Sequence, residues 1–230
     1  MEPGKTQLIL KYEDEHANEM FDENAITQPI AEQHAENISL FFEHGLTRRI
    51  TLQGKVGWTK GADLFTRYEG RGPIELGGRY VVYRNPRTVI TVYGGGVLEG
   101  EGPDASHTLH KSGAPGFEVR LLAGRSGTFW RRHVFTELQL ADLERGRLPR
   151  ETRIETTLGI EPRRGWLLLA QTYAGREDKK PVAPLWLKAE TSVLHDLPKG
   201  WRVQAGWRWT ELGVEMPVSD GPVIALWRTF

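Results

Sequence analysis

Trp201-Arg202-Val203-Gln204-Ala205-Gly206-Trp207-Arg208-Trp209 sets apolar or aromatic residues at every odd position and polar residues or glycine at every even one. A strict period of two marks a β-strand whose two faces meet different surroundings. Three tryptophans on one face of one strand suit a band in contact with lipid and its interfaces better than a surface facing water. The final stretch, 223–230, repeats the pattern with Ile224, Leu226 and Phe230 on one face. Trp201, Trp207, Trp209, Ile224, Leu226 and Phe230 are therefore the predicted lipid-facing residues. Arg228 shares that face and is read as an interfacial residue able to snorkel.

The 230 residues contain no run of about 18 apolar residues, which excludes helical membrane spans. A negative mean hydropathy does not count against strands, because lipid-facing and lumen-facing positions average out along each one. The absence of cysteine removes disulfide and thiol chemistry and is compatible with passage through an oxidising periplasm. A formal net charge of +0 leaves no dominant basic stripe, so nucleic acid is not an expected partner. In 201–209 the arginines and tryptophans fall on opposite faces, which argues against base stacking. Met1-Glu2-Pro3-Gly4-Lys5 has no charged region followed by an apolar one. It is read as the start of a mature chain from which an export signal has been removed, with Met1 supplied for expression.

From the N-terminus onward the same periodicity recurs. Residues 6–12 set Leu8, Leu10 and Tyr12 against Ile9 and Lys11. Residues 13–36, rich in Glu, Asp, Asn and His, show no strand period and are predicted to form a long outer loop. Ile38, Leu40 and Phe42 then alternate up to Gly45-Leu46-Thr47-Arg48, a tight turn into Ile50, Leu52, Gly54, Val56 and Trp58. Further strands are expected over 74–83, 88–98, 117–123, 129–140, 154–160, 166–174 and 185–193. The Gly94-Gly95-Gly96 run within them suggests a bend or close packing over a lumen residue. Arg125-Ser126-Gly127 is read as a turn, with Trp130, Val134, Thr136, Leu138 and Leu140 sharing the next face. Residues 100–116 form the second long loop and 211–221 the last one.

Short turns containing Gly or Pro thus alternate with longer polar loops along the whole chain. The prediction is an all-β protein: one transmembrane antiparallel up-and-down β-barrel over 1–230, of about 12 strands, with both termini on the turn side. A soluble barrel or sandwich also alternates. It is disfavoured by the number of large side chains it would have to pack inside, by the turn order and by the terminal Phe.

The segments Glu43-His44-Gly45-Leu46-Thr47-Arg48-Arg49-Ile50-Thr51-Leu52-Gln53 and Gly221-Pro222-Val223-Ile224-Ala225-Leu226-Trp227-Arg228-Thr229-Phe230 resemble the first turn and last strand of a proteobacterial outer-membrane β-barrel family of porin or transporter type. The likeness runs through most of the chain. A C-terminal Phe preceded by alternating apolar residues is similar to the assembly signal of bacterial outer-membrane barrels. More loosely, the chain resembles barrel transporters of aromatic-compound degradation. The resemblance implies residence in the outer membrane and contact with its lipids and lipopolysaccharide. It also implies insertion by the barrel-assembly machinery through the C-terminal strand, and it implies no catalytic residue.

The opposite strand faces assign to the lumen Lys11, Glu43, Lys55, Arg79, Glu118, Arg120, Arg131, His133, Glu137, Arg153, Glu155, Lys188, Glu190, Arg202 and Arg208. Basic residues lead in that set, and rings of basic side chains lower the barrier for anions. The function expected is passive diffusion of small polar or anionic solutes, with no cofactor and no metal. Ion pairing among the same residues would instead fill the barrel and make it a plugged structural or export-accessory element.

An enzymatic alternative rests on His110-Lys111-Ser112-Gly113, since outer-membrane lipid hydrolases place a histidine two residues before the nucleophilic serine. His110 and Ser112 would share a face of an extended segment, but the Asn that follows the serine in those enzymes is missing. His107 and His110 near Asp104, and the acidic stretch with Glu13, Asp14, Glu15, His16, Glu19, Asp22 and Glu23, lack a recognised ligand spacing and read as solvated. The acidic stretch could still take divalent cations beside lipopolysaccharide. Arg48, Arg49, Arg84, Arg87, Arg163 and Arg164 fall at turns, near lipid headgroups.

Overall fold

The computed structural model describes residues 1–62, 67–100, 115–146 and 148–230. Among them are thirteen strands: β1 (Thr6–Phe21), β2 (Thr27–Gly45), β3 (Ile50–Ala62), β4 (Arg67–Arg71), β5 (Ile74–Arg84), β6 (Thr88–Leu98), β7 (Pro115–Phe129), β8 (Arg132–Glu144), β9 (Glu151–Arg163), β10 (Trp166–Glu177), β11 (Leu185–Leu197), β12 (Trp201–Val214) and β13 (Met216–Thr229). β4 and β5 both pair with β3 and make one barrel strand interrupted at Gly72 and Pro73, so the wall has twelve positions. Each strand pairs antiparallel with its neighbours in sequence, and β13 returns to β1, with Leu10 opposite Leu226. Thr6 and Phe230 exchange backbone hydrogen bonds of 2.8 and 3.0 Å, which closes the cylinder and sets both termini at the turn end. Closure satisfies every edge inside the sheet, the condition for strands to cross hydrocarbon. Among the described residues no helix is long and apolar enough to cross a membrane.

The turn end is built from local polar chemistry. Thr47 Oγ1 accepts the amides of Arg49 and Ile50, and Asn85 Oδ1 accepts those of Arg87 and Thr88. Trp130 and Arg131 form a two-residue link at φ 45° and 64°, so both side chains project from the turn. The sequence reading set this turn at Arg125-Ser126-Gly127, but β7 continues through it to Phe129. Arg131 is therefore not a lumen residue, and Trp130, 85% exposed, is not part of the face of β8.

Two predicted loops are strand. Residues 13–36 belong mostly to β1 and β2, joined by a turn over 22–26. Residues 211–221 belong to β12 and β13, joined at Glu215 alone, at φ 54°. Beyond Tyr12 the outer face turns polar as well as the inner one, so the hydropathy period vanishes while the ladder of hydrogen bonds continues. The second long loop, near 100–116, lies outside the described residues except at Gly100, Pro115 and Gly116.

The two faces of the wall are inverted relative to a soluble barrel. Leu10, Leu40, Val56, Leu76, Val92, Leu121, Leu140, Leu158, Leu168, Val193, Trp207 and Ile224 are all exposed, one or more on nearly every strand, and together make a continuous apolar belt. Glu118 and Glu190 are 0% and 1% exposed on the opposite face. An apolar belt of this extent around a closed barrel is the surface that a wall in contact with lipid presents. Gly77 and Gly95 stand opposite one another on the inner face, and a Cβ at either would collide with the Tyr93 hydroxyl, which explains glycine at these two positions, whereas Gly94 and Gly96 have room for a Cβ.

Candidate functional site

The candidate site is the charged belt halfway along the lumen. Alternation within each strand sends every second side chain inward, and nine of the twelve barrel strands bring charged side chains to the lumen at mid-height. Lys11, Lys55, Arg79, Arg120, Arg153, Lys188 and Arg208 face Glu13, Glu15, Glu43, Glu75, Glu118, Glu137, Glu155 and Glu190.

Two networks organise the belt. In the first, Glu190 Oε2 accepts from Arg208 Nη2 at 2.7 Å and Nε at 3.1 Å, while Glu190 Oε1 accepts from Ser192 Oγ at 3.0 Å and Gln204 Nε2 at 3.3 Å. Arg208 Nη1 reaches Glu13 at 2.5 Å, and its guanidinium lies 4.6 Å from the centre of the Tyr173 ring. Lys188 reaches Glu15 at 2.5 Å, and Ser219 donates to the same carboxylate at 2.6 Å. In the second, Glu118 is clamped between Arg153 and Arg120, the latter at 2.6 Å. Arg120 continues to Glu75 at 2.9 Å, with Lys55 3.8 Å from Glu75. Beside them Arg79 and Gln53 both donate to Glu43, at 3.0 and 2.6 Å. A carboxylate withdrawn from water to this degree is tolerable only with charged donors on its lone pairs.

Below the belt, towards the turns, the lumen becomes apolar. Leu167, Leu169 and Leu194 form a buried cluster with Phe135 and Trp227 packed against it. Trp227 Nε1 donates to Gln204 at 2.9 Å and so ties this layer to the first network. Beyond it lies a vestibule of about 420 Å3 lined by Gln7, Asp196, Arg202, Trp227 and Thr229, where Arg202 Nε is 2.5 Å from Asp196. At the loop end, Arg145 binds Glu177 at 2.6 Å and Glu151 at 3.2 Å, fixing the start of β9 to the end of β10. On the outer wall near that end, Ile154, Leu185, Leu187 and Leu212 line a groove of about 690 Å3 rimmed by Asp142, Arg150, Arg176 and Asp178.

Of the residues assigned to the lumen from sequence, Lys55, Arg79, Arg120, Glu137, Arg153, Glu155, Lys188, Glu190 and Arg208 lie in the belt, with Lys11, Glu43 and Glu118. Arg202 lies in the vestibule, His133 lies near the turns beside Glu161, and Arg131 is in a turn. Trp201, Trp207, Ile224, Leu226 and Phe230 are exposed on the outer face, and Trp209 shares it. Arg228 stacks over Trp201 at 5.0 Å. His110 and Ser112 lie outside the described residues.

Sequence reasoning missed Glu13, Glu15 and Glu75. The first two fell in the supposed loop. Glu75 was legible as the residue facing away from Leu76, Tyr80 and Val82. With these acids counted, seven cations meet eight carboxylates, and the expected excess of basic charge disappears.

No protein-family model and no curated protein matches the chain. Solved structures do. An outer membrane channel from Pseudomonas putida F1 superposes with a TM-score of 0.75 at 11% identity, over 100% of this chain and 97% of that one. The translocator domain of the autotransporter NalP from Neisseria meningitidis gives 0.56 at 11% identity, over 100% and 90%. The NanC porin gives 0.53 at 5%, over 96% and 98%. The fold is thus that of outer-membrane β-barrels.

Proposed function

We propose that the chain is an outer-membrane channel for passive diffusion of small polar solutes, selected by size and by a charge-balanced lumen. The single observation that carries this reading is the charged belt inside an apolar wall. Ion pairs such as Lys55 with Glu75, at 3.8 Å and with the lysine side chain 42% exposed, present fixed charge to water within the barrel. The fold likeness to an outer membrane channel and to a porin supports the same reading. Because acids offset bases, sign selectivity is weak, and the anion preference expected from sequence loses its basis. Lipids of the outer membrane cover the apolar belt, and the strand ending at Phe230 engages the assembly machinery.

A plugged barrel is the second reading, favoured by the apolar layer of Leu167, Leu169, Leu194, Phe135 and Trp227 at the turn end. Refolded protein in a planar bilayer separates the two. Stable unitary conductance with a reversal potential near zero in a salt gradient supports the channel. A folded, inserted barrel that passes no current overturns it and leaves the plugged form.

A further inference from the structure

We infer that the outer face of the β1–β2 hairpin, just beyond the apolar belt, is a binding site for a divalent first-row transition metal, formed by Asp14, His16 and His34 and best suited to Zn2+. The register creates it. Tyr12 opposite Ile38 is the last apolar pair on this face. One step further Asp14 stands opposite Glu36, and the next step sets His16 opposite His34. Residues 14 and 16 share a face by the period of a strand, so a carboxylate and two imidazoles converge on one patch of rigid sheet.

The donors are already near coordination geometry. The imidazoles stack with centroids 4.4 Å apart. Nε2 of His34 and Nε2 of His16 lie 2.7 and 3.3 Å from the same Asp14 oxygen, and the ligand atoms of the three residues are all within 4.8 Å of one another. Metal bonds of about 2.0–2.1 Å in tetrahedral array separate donors by roughly 3.3 Å. Small side-chain rotations therefore admit an ion, with no movement of the backbone. His16 is 51% exposed at its side chain and His34 36%, so entry is from solvent.

Donor type selects the ion. Two imidazoles with one carboxylate suit zinc and its neighbours, whereas calcium and magnesium require oxygen-rich shells. Glu32 lies 3.9 Å from His16 Nδ1 and Glu36 3.7 Å from His34 Nε2, and the two carboxylates deepen the negative potential that draws a cation in. Three protein ligands leave a coordination position for water. The sequence singled out Asp14 and His16 within the acidic stretch but not His34, which is 18 residues from His16 and comes opposite it only through the strand pairing.

The test is a titration of tag-free, chelator-stripped protein in detergent micelles with ZnCl2 by calorimetry. One Zn2+ per chain is expected at micromolar affinity or better, weakened about tenfold or more by His34→Ala and by Asp14→Asn and unchanged by His133→Ala. In the wild type, Cu2+ used as a spectroscopic substitute should show two nitrogen donors in its paramagnetic resonance spectrum, a reading that requires no variant to fold. Absent Zn2+ binding, equal affinity in His34→Ala, or a copper spectrum without two nitrogens overturns the site. The site faces away from the lumen, so conductance is expected to be the same with and without Zn2+.

Discussion

Arg208 and Glu190 join across the β11–β12 ladder inside the barrel, two guanidinium nitrogens at 2.7 and 3.1 Å from one oxygen of a carboxylate that is 1% exposed. The third nitrogen of Arg208 continues to Glu13 on β1, 2.5 Å away. The contact therefore spans β13 and braces the seam where the last strand meets the first. It reinforces a closure that side chains already bridge, with Ser219 of β13 donating to Glu15 of β1 at 2.6 Å and Gln7 of β1 to Thr229 of β13 at 3.3 Å.

Removing one member of this pair leaves a buried charge without its partner. Glu190→Ala is expected to destabilise the folded barrel by about 3–5 kcal/mol, whereas the double variant Glu190→Ala/Arg208→Met recovers much of the loss, because an apolar replacement of both partners is close to neutral. Denaturant unfolding in lipid vesicles measures both. Equal loss in the single and double variants would show that packing, not charge compensation, holds the seam.

Charge balance in the belt makes a second prediction. Lys55 is the most exposed of the belt cations, and among the described residues its only ion pair is the 3.8 Å contact with Glu75, so it can be changed with little structural consequence. Lys55→Glu should shift the reversal potential in a salt gradient towards cation preference, and Glu75→Gln towards anion preference. An unchanged reversal potential in both would mean that permeating ions do not pass this wall.

How far the sequence revealed this arrangement depended on where polarity changes along each strand. Trp207 and Leu226 were legible as sharing one face because along their strands one face is apolar and the other is not, and both are exposed on the outer face. Asp14 and His16 were misplaced because above the apolar belt the outer face meets water, while Glu13 and Glu15 on the inner side are equally polar members of the ion-paired network. Leu167, Leu168 and Leu169 defeated the assignment from the other direction: two line the lumen, one faces lipid, and all three are the same residue. Arg131 was lost to Gly127, a turn signal that the structure absorbs within β7.

The apolar layer at the turn end predicts where current is limited. Trp227 is anchored to Gln204 and packed on Leu194, between the charged belt and the vestibule. Hydrophobic constrictions hinder ion passage by excluding water. Trp227→Ala should raise unitary conductance several-fold without altering ion preference, since no charge is changed. Single-channel recording checks this, and an unchanged conductance would locate the narrowest point elsewhere.

The turn that replaces the expected loop predicts a pH response of known sign. Asp22 Oδ1 accepts the amides of Ile26 at 3.0 Å and Asn24 at 2.8 Å. The bond from Ile26 is the main cause holding this carboxyl below its ordinary value of 3.8, with the bond from Asn24 assisting and slight burial opposing. A group whose folded value is depressed stabilises the fold fully above its unfolded value and loses that contribution as pH falls through the folded one. Protection of the Asn24 and Ile26 amides should therefore hold at neutral pH and decline only below the ordinary carboxyl range. In Asp22→Asn the side-chain oxygen still accepts but no longer titrates, so protection should persist into acid. Amide exchange followed by NMR at successive pH values distinguishes the two, and the same acid-induced loss in Asp22→Asn would assign the transition to another group.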